Sequence, residues 1–247
     1  GLAFVEVALT PVTIGVQPNG LNINLECGAT HCSTLQKAVL QHHADLGIAL
    51  DGDGDRIMMV DKQGRLYDGD QLLYIIAKHR KQRRLLRGGV VGTLMTNLAI
   101  ENRFKKMNIP FLRAKVGDRH VLELLHEKKW YLGGENSGHI VCKDKHTTGD
   151  GIISALQVLY ALRDTQKTLA QSMRGVSLYP QRLINVKISK PFDFSTNEAI
   201  KTMQEAAEAD LNSKGRVLIR ASGTEPLIRI MIEGESKHKV NHWAERI

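Results

Sequence analysis

Six residues, Asp51-Gly52-Asp53-Gly54-Asp55-Arg56, constrain this chain more than any other stretch. They follow the apolar run Leu46-Gly47-Ile48-Ala49-Leu50, which has the length and composition of a short buried strand running into a tight loop. Alternation can aim three carboxylates at one spot, and the two glycines let the backbone curl around it. Carboxylates that close repel one another, and a hard cation such as Mg2+ relieves the repulsion. Arg56 adds a fixed positive charge, and metal plus arginine at a strand end suits a phosphorylated substrate. The competing reading is a solvated acidic turn, against which the third Asp, both glycines and the preceding strand weigh. A calcium loop of the EF-hand type needs Gly at its sixth position and Glu at its twelfth; counted from Asp51 those places hold Arg56 and Lys62. A phosphatase with an aspartyl nucleophile also carries DxD after a strand, but commonly has Thr or Val where Asp55 stands.

The strand that carries this loop opens an alternating pattern. Asp45 to Leu50 and Ile57 to Asp61 read as strands. Asp70 is expected to cap a helix with Leu72, Leu73, Ile76 and Ala77 on one side. Val90 to Met95 reads as a strand, Thr96 or Asn97 as the cap of a helix through Met107, and Phe111 to Val116 as a further strand. Asp118 to Lys129 and Asp150 to Arg163 are helical, with Tyr131 to Gly133 leading into a loop between them. The fold class is therefore α/β, with mixed, mostly parallel sheets covered by helices. The character changes near Tyr179-Pro180. Leu183 to Ile188 alternates as a half-exposed strand, Ser195 or Thr196 caps a helix through Leu211, and Arg216 to Arg220 and Leu227 to Glu233 are strands joined by a polar turn. This is a small C-terminal α+β domain. Three divisions follow, 1–65, 66–177 and 178–247, with the earlier boundary in the turn residues Gly64 to Asp68.

With 247 residues, 42% of them hydrophobic and 24% charged, the chain has material for two or three soluble domains and no apolar stretch of membrane-spanning length. Gly1 to Val16 is apolar but contains Glu6 and has no basic leader, so no signal peptide is read there. Three cysteines, Cys27, Cys32 and Cys142, form no CxxC pair; reduced thiols in a cytoplasmic protein are the expectation. Cys27, His31 and Cys32 are poorly spaced for zinc. The net charge of +8 admits nucleic acid as a partner, but the basic run Lys78 to Arg87 has no interleaved aromatics and reads as a solvated helix end. A positive field equally suits small anionic substrates.

Three further constellations belong with the acidic loop. Gly133-Gly134-Glu135-Asn136-Ser137-Gly138-His139 offers donors and acceptors at short reach, suited to sugar hydroxyls or to a plain turn. Arg220-Ala221-Ser222-Gly223-Thr224-Glu225-Pro226, with Arg229 beyond, is a phosphate cradle or a capped hairpin. Lys115-Val116-Gly117-Asp118-Arg119 feeds a helix N-terminus, where anions bind well and where Asp118 can also cap.

Taken in order, DGDGDR, GENSGH, KVGDRHV and RASGTEPLIRIMIEG resemble the motifs of the α-D-phosphohexomutase superfamily, most of all its bacterial branch acting on glucosamine phosphates. GVQPNGLNIN, GTLMTNLAIE and TTGDGI support the likeness, which runs from about Ile14 to the end. The resemblance implies interconversion of sugar 6- and 1-phosphates through a phosphoserine and a sugar 1,6-bisphosphate. Mg2+ would sit on Asp51, Asp53 and Asp55, and Arg56 would steady the transferring phosphoryl group. Glu135, Asn136 and Ser137 would bind the phosphorylated hexosamine, and Arg220, Ser222, Gly223, Thr224 and Arg229 its non-reacting phosphate. Lys115, and after it His139, would transfer a proton or contact phosphate. Neither nucleic acid nor membrane is an implied partner. A motif like SASHNP, where the family carries its serine, does not occur in these residues; Ser33, Ser137, Ser154 and Ser222 stand in other contexts. The expectation is a fragment from the end of the second domain through the fourth, inactive alone and prone to self-association where an apolar face lacks its N-terminal domain. A sugar-phosphate-binding module without catalysis, and mannose or glucose specificity, are the alternatives.

Overall fold

The computed structural model describes residues 10–188, 196–221 and 226–247, which fall into two compact units, 1–95 with 108–174 and 96–107 with 175–247. In the first unit, helix α1 (Ser33–Gln41) precedes a three-stranded antiparallel sheet of β1 (Leu46–Leu50), β2 (Ile57–Asp61) and β3 (Leu66–Tyr67). The β1–β2 register runs from Leu46 opposite Asp61 to Leu50 opposite Ile57, so the acidic loop is the connection of a hairpin. Helix α1 lies on this sheet through Leu35 and Val39, which pack with Cys32, Ala49 and Val60. Gly47 permits that approach, since a Cβ there would stand 2.6 Å from Val39 Cγ2. The β2–β3 turn is closed by buried Asp61, whose carboxylate accepts from the amides of Gln63 and Arg65 and from the Tyr67 hydroxyl at 2.8–3.0 Å. Burial pushes the Tyr67 phenol far up, and the bond to Asp61 adds to the shift.

Helix α2 (Gly69–Gln82) begins at Asp68, not Asp70. Asp68 accepts from the Gln71 amide and Gln71 reaches back to the Asp68 amide, a reciprocal cap that puts Asp70 inside the first turn and fully buried. Strand β4 (Val90–Thr93) is buried along its length. After an excursion through α3 (Leu98–Lys106) the chain returns as β5 (Phe111–Ala114), α4 (Asp118–Lys128), β6 (Leu132–Gly134) and β7 (Ile140–Cys142). The sheet order is β5-β4-β6-β7; the first two pairings are parallel and the last is antiparallel. The stretch read as a loop after Tyr131 is thus a hairpin with three-residue arms. Helix α5 (Gly151–Thr165), capped by Asp150 on the Ile153 amide, packs on β1, β2 and β7, and α6 (Leu169–Ser172) follows.

The basic run at the end of α2 is not merely solvated. His79 and Arg80 are buried; His79 Nε2 lies 2.8 Å from Asp164, and Arg80 donates to Asp144 and Gln157, both at 2.9 Å. Only from Lys81 to Leu85 does every residue face solvent. No helix among the described residues is long and apolar enough to cross a membrane.

The second unit has a three-stranded antiparallel sheet of β8 (Gln181–Lys187), β9 (Gly215–Ala221) and β10 (Leu227–Gly234), with β10 central. Helices α7 (Glu198–Leu211) and α8 (Lys237–Arg246) cover it, and Ala207, Leu211, Val217, Ile228, Ile230, Ile232, Val240 and Trp243 form the core. The cap of α7 is Asn197, which accepts from the amides of Ala199 and Ile200; of the two expected caps, Ser195 lies outside the described residues. Asn97 caps α3, as the sequence allows, and also exchanges two hydrogen bonds with the Tyr179 backbone.

Glu233 holds this unit together from the inside. It is completely buried, paired with Arg216 Nε, and accepts from Gln181 Nε2 at 2.7 Å and from the first amide of α3, Leu98, at 3.2 Å. Removing one partner of a buried charge pair leaves the other uncompensated. Glu233→Ala should therefore cost about 3 kcal/mol, read as a lower urea midpoint of Trp243 fluorescence in a Trp130→Phe background. An unchanged midpoint would contradict that role.

Candidate functional site

The acidic loop is shaped by backbone contacts before any side chain acts. The Gly54 amide donates to the Asp51 carbonyl at 3.2 Å, and Gly54 takes φ +74°, a left-handed turn that glycine adopts without strain. The Gly54 carbonyl accepts from the Gly151 amide at the start of α5, at 2.8 Å. Asp55 and Arg56 then lead into β2, whose first amide, Ile57, donates to Gly138 of the β6–β7 hairpin at 3.0 Å. Arg56 and His139 face one another as an isolated antiparallel bridge. On its other side the hairpin accepts the Gly69 amide on the Asn136 carbonyl, at 3.1 Å. A Cβ at Gly69 would stand 2.0 Å from the Glu135 carbonyl oxygen, and one at Gly138 2.4 Å from that of Ile57. These contacts require glycine.

On this frame Asp51, Asp53 and Asp55 each offer a carboxylate oxygen within 4.8 Å of the others. Asp53 is exposed, while the Asp51 side chain keeps 6% of its surface. Burial pushes the Asp51 carboxyl above its usual range; the Arg56 amide, 3.1 Å away, pulls against the shift, and the charges of Asp55 and Asp53 add to it. Arg56 Nε lies 3.5 Å from Asp51 and 3.8 Å from Asp55 Oδ1, with 45% of the side chain open to solvent. Asp55 Oδ2 is 2.9 Å from His139 Nδ1, whereas Asp55 Oδ1 is buried without a hydrogen-bond partner among the described residues. One guanidinium cannot balance three crowded carboxylates, and a divalent cation fits both the deficit and the all-oxygen donor set.

The sugar-loop candidates lie on the same unit. Glu135 is buried and accepts the Gly117 amide at 2.9 Å, which ties the Lys115–Arg119 turn to the hairpin. Lys115 is exposed, and Asn136 and Ser137 are half-buried. The position before α4 is Gly117, at φ 122°, without a side-chain cap; Asp118 bonds only the adjacent Arg119 amide. In the second unit, Arg220 on β9 and Arg229 on β10 are direct cross-strand partners and therefore share one face of the sheet. Ser222, Gly223 and Thr224 lie outside the described residues. The sequence reading does not single out Gly149 and Gly151. A Cβ at Gly149 would meet the His139 ring at 2.3 Å, and one at Gly151 would meet the Gly54 and Arg56 carbonyls at 2.9 Å. Their visible signal is the string TTGDGI ahead of a helix.

Residues 6–64, 68–179 and 183–247 match the family models described as phosphoglucomutase/phosphomannomutase alpha/beta/alpha domain II, alpha/beta/alpha domain III and C-terminal domain. The phosphoglucosamine mutase of Nitrosospira multiformis is 67% identical over 98% of this chain, which spans 52% of that protein. The phosphoglucosamine mutase of Nitrosomonas europaea is 62% identical over 98% of this chain and 53% of that protein. The chain thus spans about half the length of the curated relatives it matches. Among solved structures, the N-acetylphosphoglucosamine mutase of Aspergillus fumigatus, in complex with GlcNAc-6P and magnesium, superposes with a TM-score of 0.74 at 24% identity, covering 90% of this chain and 56% of that one. A phosphoglucomutase/phosphomannomutase family protein of Burkholderia thailandensis gives 0.70 at 20% identity, covering 88% and 49%. At those identities the structural likeness establishes the fold alone. Three consecutive domain models across nearly the whole length, with close relatives over 98% of it, show that the chain belongs to the phosphoglucomutase/phosphomannomutase family of phosphohexomutases.

Proposed function

We propose that these residues form the metal-, sugar- and phosphate-binding part of a phosphoglucosamine mutase, which interconverts glucosamine 6-phosphate and glucosamine 1-phosphate. The observation that carries the reading is the clustering of three carboxylate oxygens within 4.8 Å beside Arg56, on a loop hydrogen-bonded through Ile57 to the Glu135–His139 hairpin. The names of the close relatives favour glucosamine over mannose or glucose. The working division assigns the metal loop to 1–65, the sugar loop to 66–177 and the phosphate cradle to 178–247.

Asp51, Asp53 and Asp55 would hold Mg2+, which when bound would offset charge on the transferring phosphoryl group. Arg56, half open to solvent, has guanidinium donors to spare for the same group. Glu135, Asn136 and Ser137 supply acceptors and donors for ring hydroxyls in either sugar orientation. Arg220 and Arg229, with Ser222, Gly223 and Thr224 between them in sequence, would hold the phosphate that is not reacting. Lys115 stands on an exposed turn, where it would contact a phosphate or take part in proton transfer. The donor in this scheme is a phosphoserine. It passes its phosphoryl group to the sugar monophosphate, giving a 1,6-bisphosphate, and recovers the other phosphate after the sugar turns round. The same bisphosphate would prime the unphosphorylated enzyme. None of the serines of these 247 residues stands in a SASHNP-like motif, so this chain alone is expected to bind without turning over.

Three measurements test the proposal. Calorimetric titration with Mg2+ should show binding that Asp51→Asn with Asp53→Asn weakens at least tenfold, about 1.4 kcal/mol; equal affinity in the double variant would remove the metal from the acidic loop. Titration with glucosamine 6-phosphate in the presence of Mg2+ should show binding that Arg220→Ala weakens by about tenfold to a hundredfold, the worth of a charged hydrogen bond. Unaltered binding would rule out the 220–229 cradle, and mutase turnover by these residues alone would rule out the serine assignment.

A further inference from the structure

We propose that Lys187 is a further phosphate-binding residue, a third cation beside Arg220 and Arg229 for the phosphate that is not reacting; the proposal rests on the reading of the 220–229 stretch above. The register of the second unit's sheet sets the arrangement. Across its three strands Asn185, Arg229 and Arg220 stand directly opposite one another in a single row. Opposed residues share a face, so this row lies away from Ile228, Ile230 and Ile232, which pack with Ala207 and Leu211 of α7 and with Val240 and Trp243 of α8. Lys187 is opposite Leu227, two residues beyond Asn185, and so belongs to the next row of the same face. Diagonal neighbours on one face stand about 7–8 Å apart, so an anion held by Arg229 is within reach of the Lys187 ammonium. The Ile188 amide donates to the Pro226 carbonyl at 2.9 Å. That bond ties Lys187 to the end of the sheet where β9 and β10 are joined, the end at which both arginines stand.

Charge on this part of the sheet is one-sided. The three strands carry a single carboxylate, Glu233, which lies at the opposite end and is paired with Arg216. Lys187 is exposed and makes no ion pair among the described residues. A phosphate has several oxygens to satisfy. Arginines meet them with planar forks, and a lysine adds a compact charge on a flexible stem that can follow them. A lysine on an edge strand also discourages pairing with another chain. β8 is an edge strand, and Arg182, exposed on the same strand, serves that purpose equally. Arg182, however, is opposite Ile232 and belongs to the other face. Of the two cations of β8, only Lys187 shares a face with Arg220 and Arg229.

That difference defines the test. Glucosamine 6-phosphate is titrated calorimetrically, with Mg2+ present, into the 247-residue chain and into Lys187→Met, Lys187→Arg and Arg182→Met, and the ligand-free melting temperature of each is recorded as a folding control. Lys187→Met keeps the apolar stem, loses the charge and should bind about threefold to tenfold more weakly. Lys187→Arg should stay within about twofold of the unmutated affinity, and so should Arg182→Met, which removes the same charge from the other face. In the unmutated chain, glucosamine 6-phosphate should slow acetylation of Lys187 by acetic anhydride, read by mass spectrometry of the digest. Lys201, exposed on α7 over the other face, should react at an unchanged rate. That readout stands even where a variant does not fold. Equal affinity in Lys187→Met, an equal loss in Arg182→Met, or an unprotected Lys187 would overturn the Lys187 contact and leave the arginine pair standing. Failure of the unmutated chain to bind the sugar phosphate, or binding that Arg220→Ala leaves unaltered, would overturn the cradle and this proposal together.

Discussion

The crowding of three carboxylates at the end of β1 is the constraint around which the first unit is arranged. Three acids within 4.8 Å repel, and Arg56, nearly half exposed, offsets only part of that because solvent screens it. The loop has no apolar residue of its own to bury, and its internal bonds come from the Gly54 and Arg56 amides and the Arg56 guanidinium. Further restraint comes from outside: the Gly138 carbonyl on Ile57, the Gly151 amide on Gly54 and the imidazole on Asp55. They belong to two pieces of later sequence, the β6–β7 hairpin and the start of α5. A loop charged like this in isolation would splay apart. Held at several points of backbone, it pays for its repulsion with hydrogen bonds formed when the unit folds.

The same logic explains the glycines. Gly69, Gly138, Gly149 and Gly151 do not mark flexible linkers, because each is a point where a second chain segment comes closer than a Cβ allows. Gly138 combines both demands, a φ of +97° and carbonyl contact with Ile57. Backbone brought that close can satisfy its own polar groups without water, which keeps the hairpin buried while Asn136 and Ser137 at its tip stay partly open. Rigid backbone beneath, with polar side chains at the rim, suits the sugar-binding role proposed for the hairpin.

How much of this was legible in the sequence depended on how local the cause was. The acidic loop, the flanking strands β1 and β2 and the apolar helices α2 and α5 could be read because period and turn residues sit within about ten positions. The caps were readable only as a class: Asp68 and Asp70 are equally good by type, and the contest is settled by Gln71 returning the bond to Asp68. Helix α1 is short and offers two buried residues, so its pattern is faint. The arms of the β6–β7 hairpin are three residues each, two of the three in β6 being glycine, and are too short to show alternation. The burial of His79 and Arg80 was hidden for a different reason: Asp164, Asp144 and Gln157 lie 64 to 85 positions away. Likewise, nothing near His139 announces that Gly149 closes over its ring.

A basic chain with an acidic loop poses an electrostatic question of its own. The net charge of +8 draws anions toward the molecule, yet the field at Asp51, Asp53 and Asp55 would turn a phosphate away at close range. Attraction at long range and repulsion at short range are reconciled if a cation reverses the local sign, leaving Arg56 as a second positive contact on the same side. The cross-strand pair Arg220 and Arg229 is the converse, a positive face that suits the phosphate proposed for it.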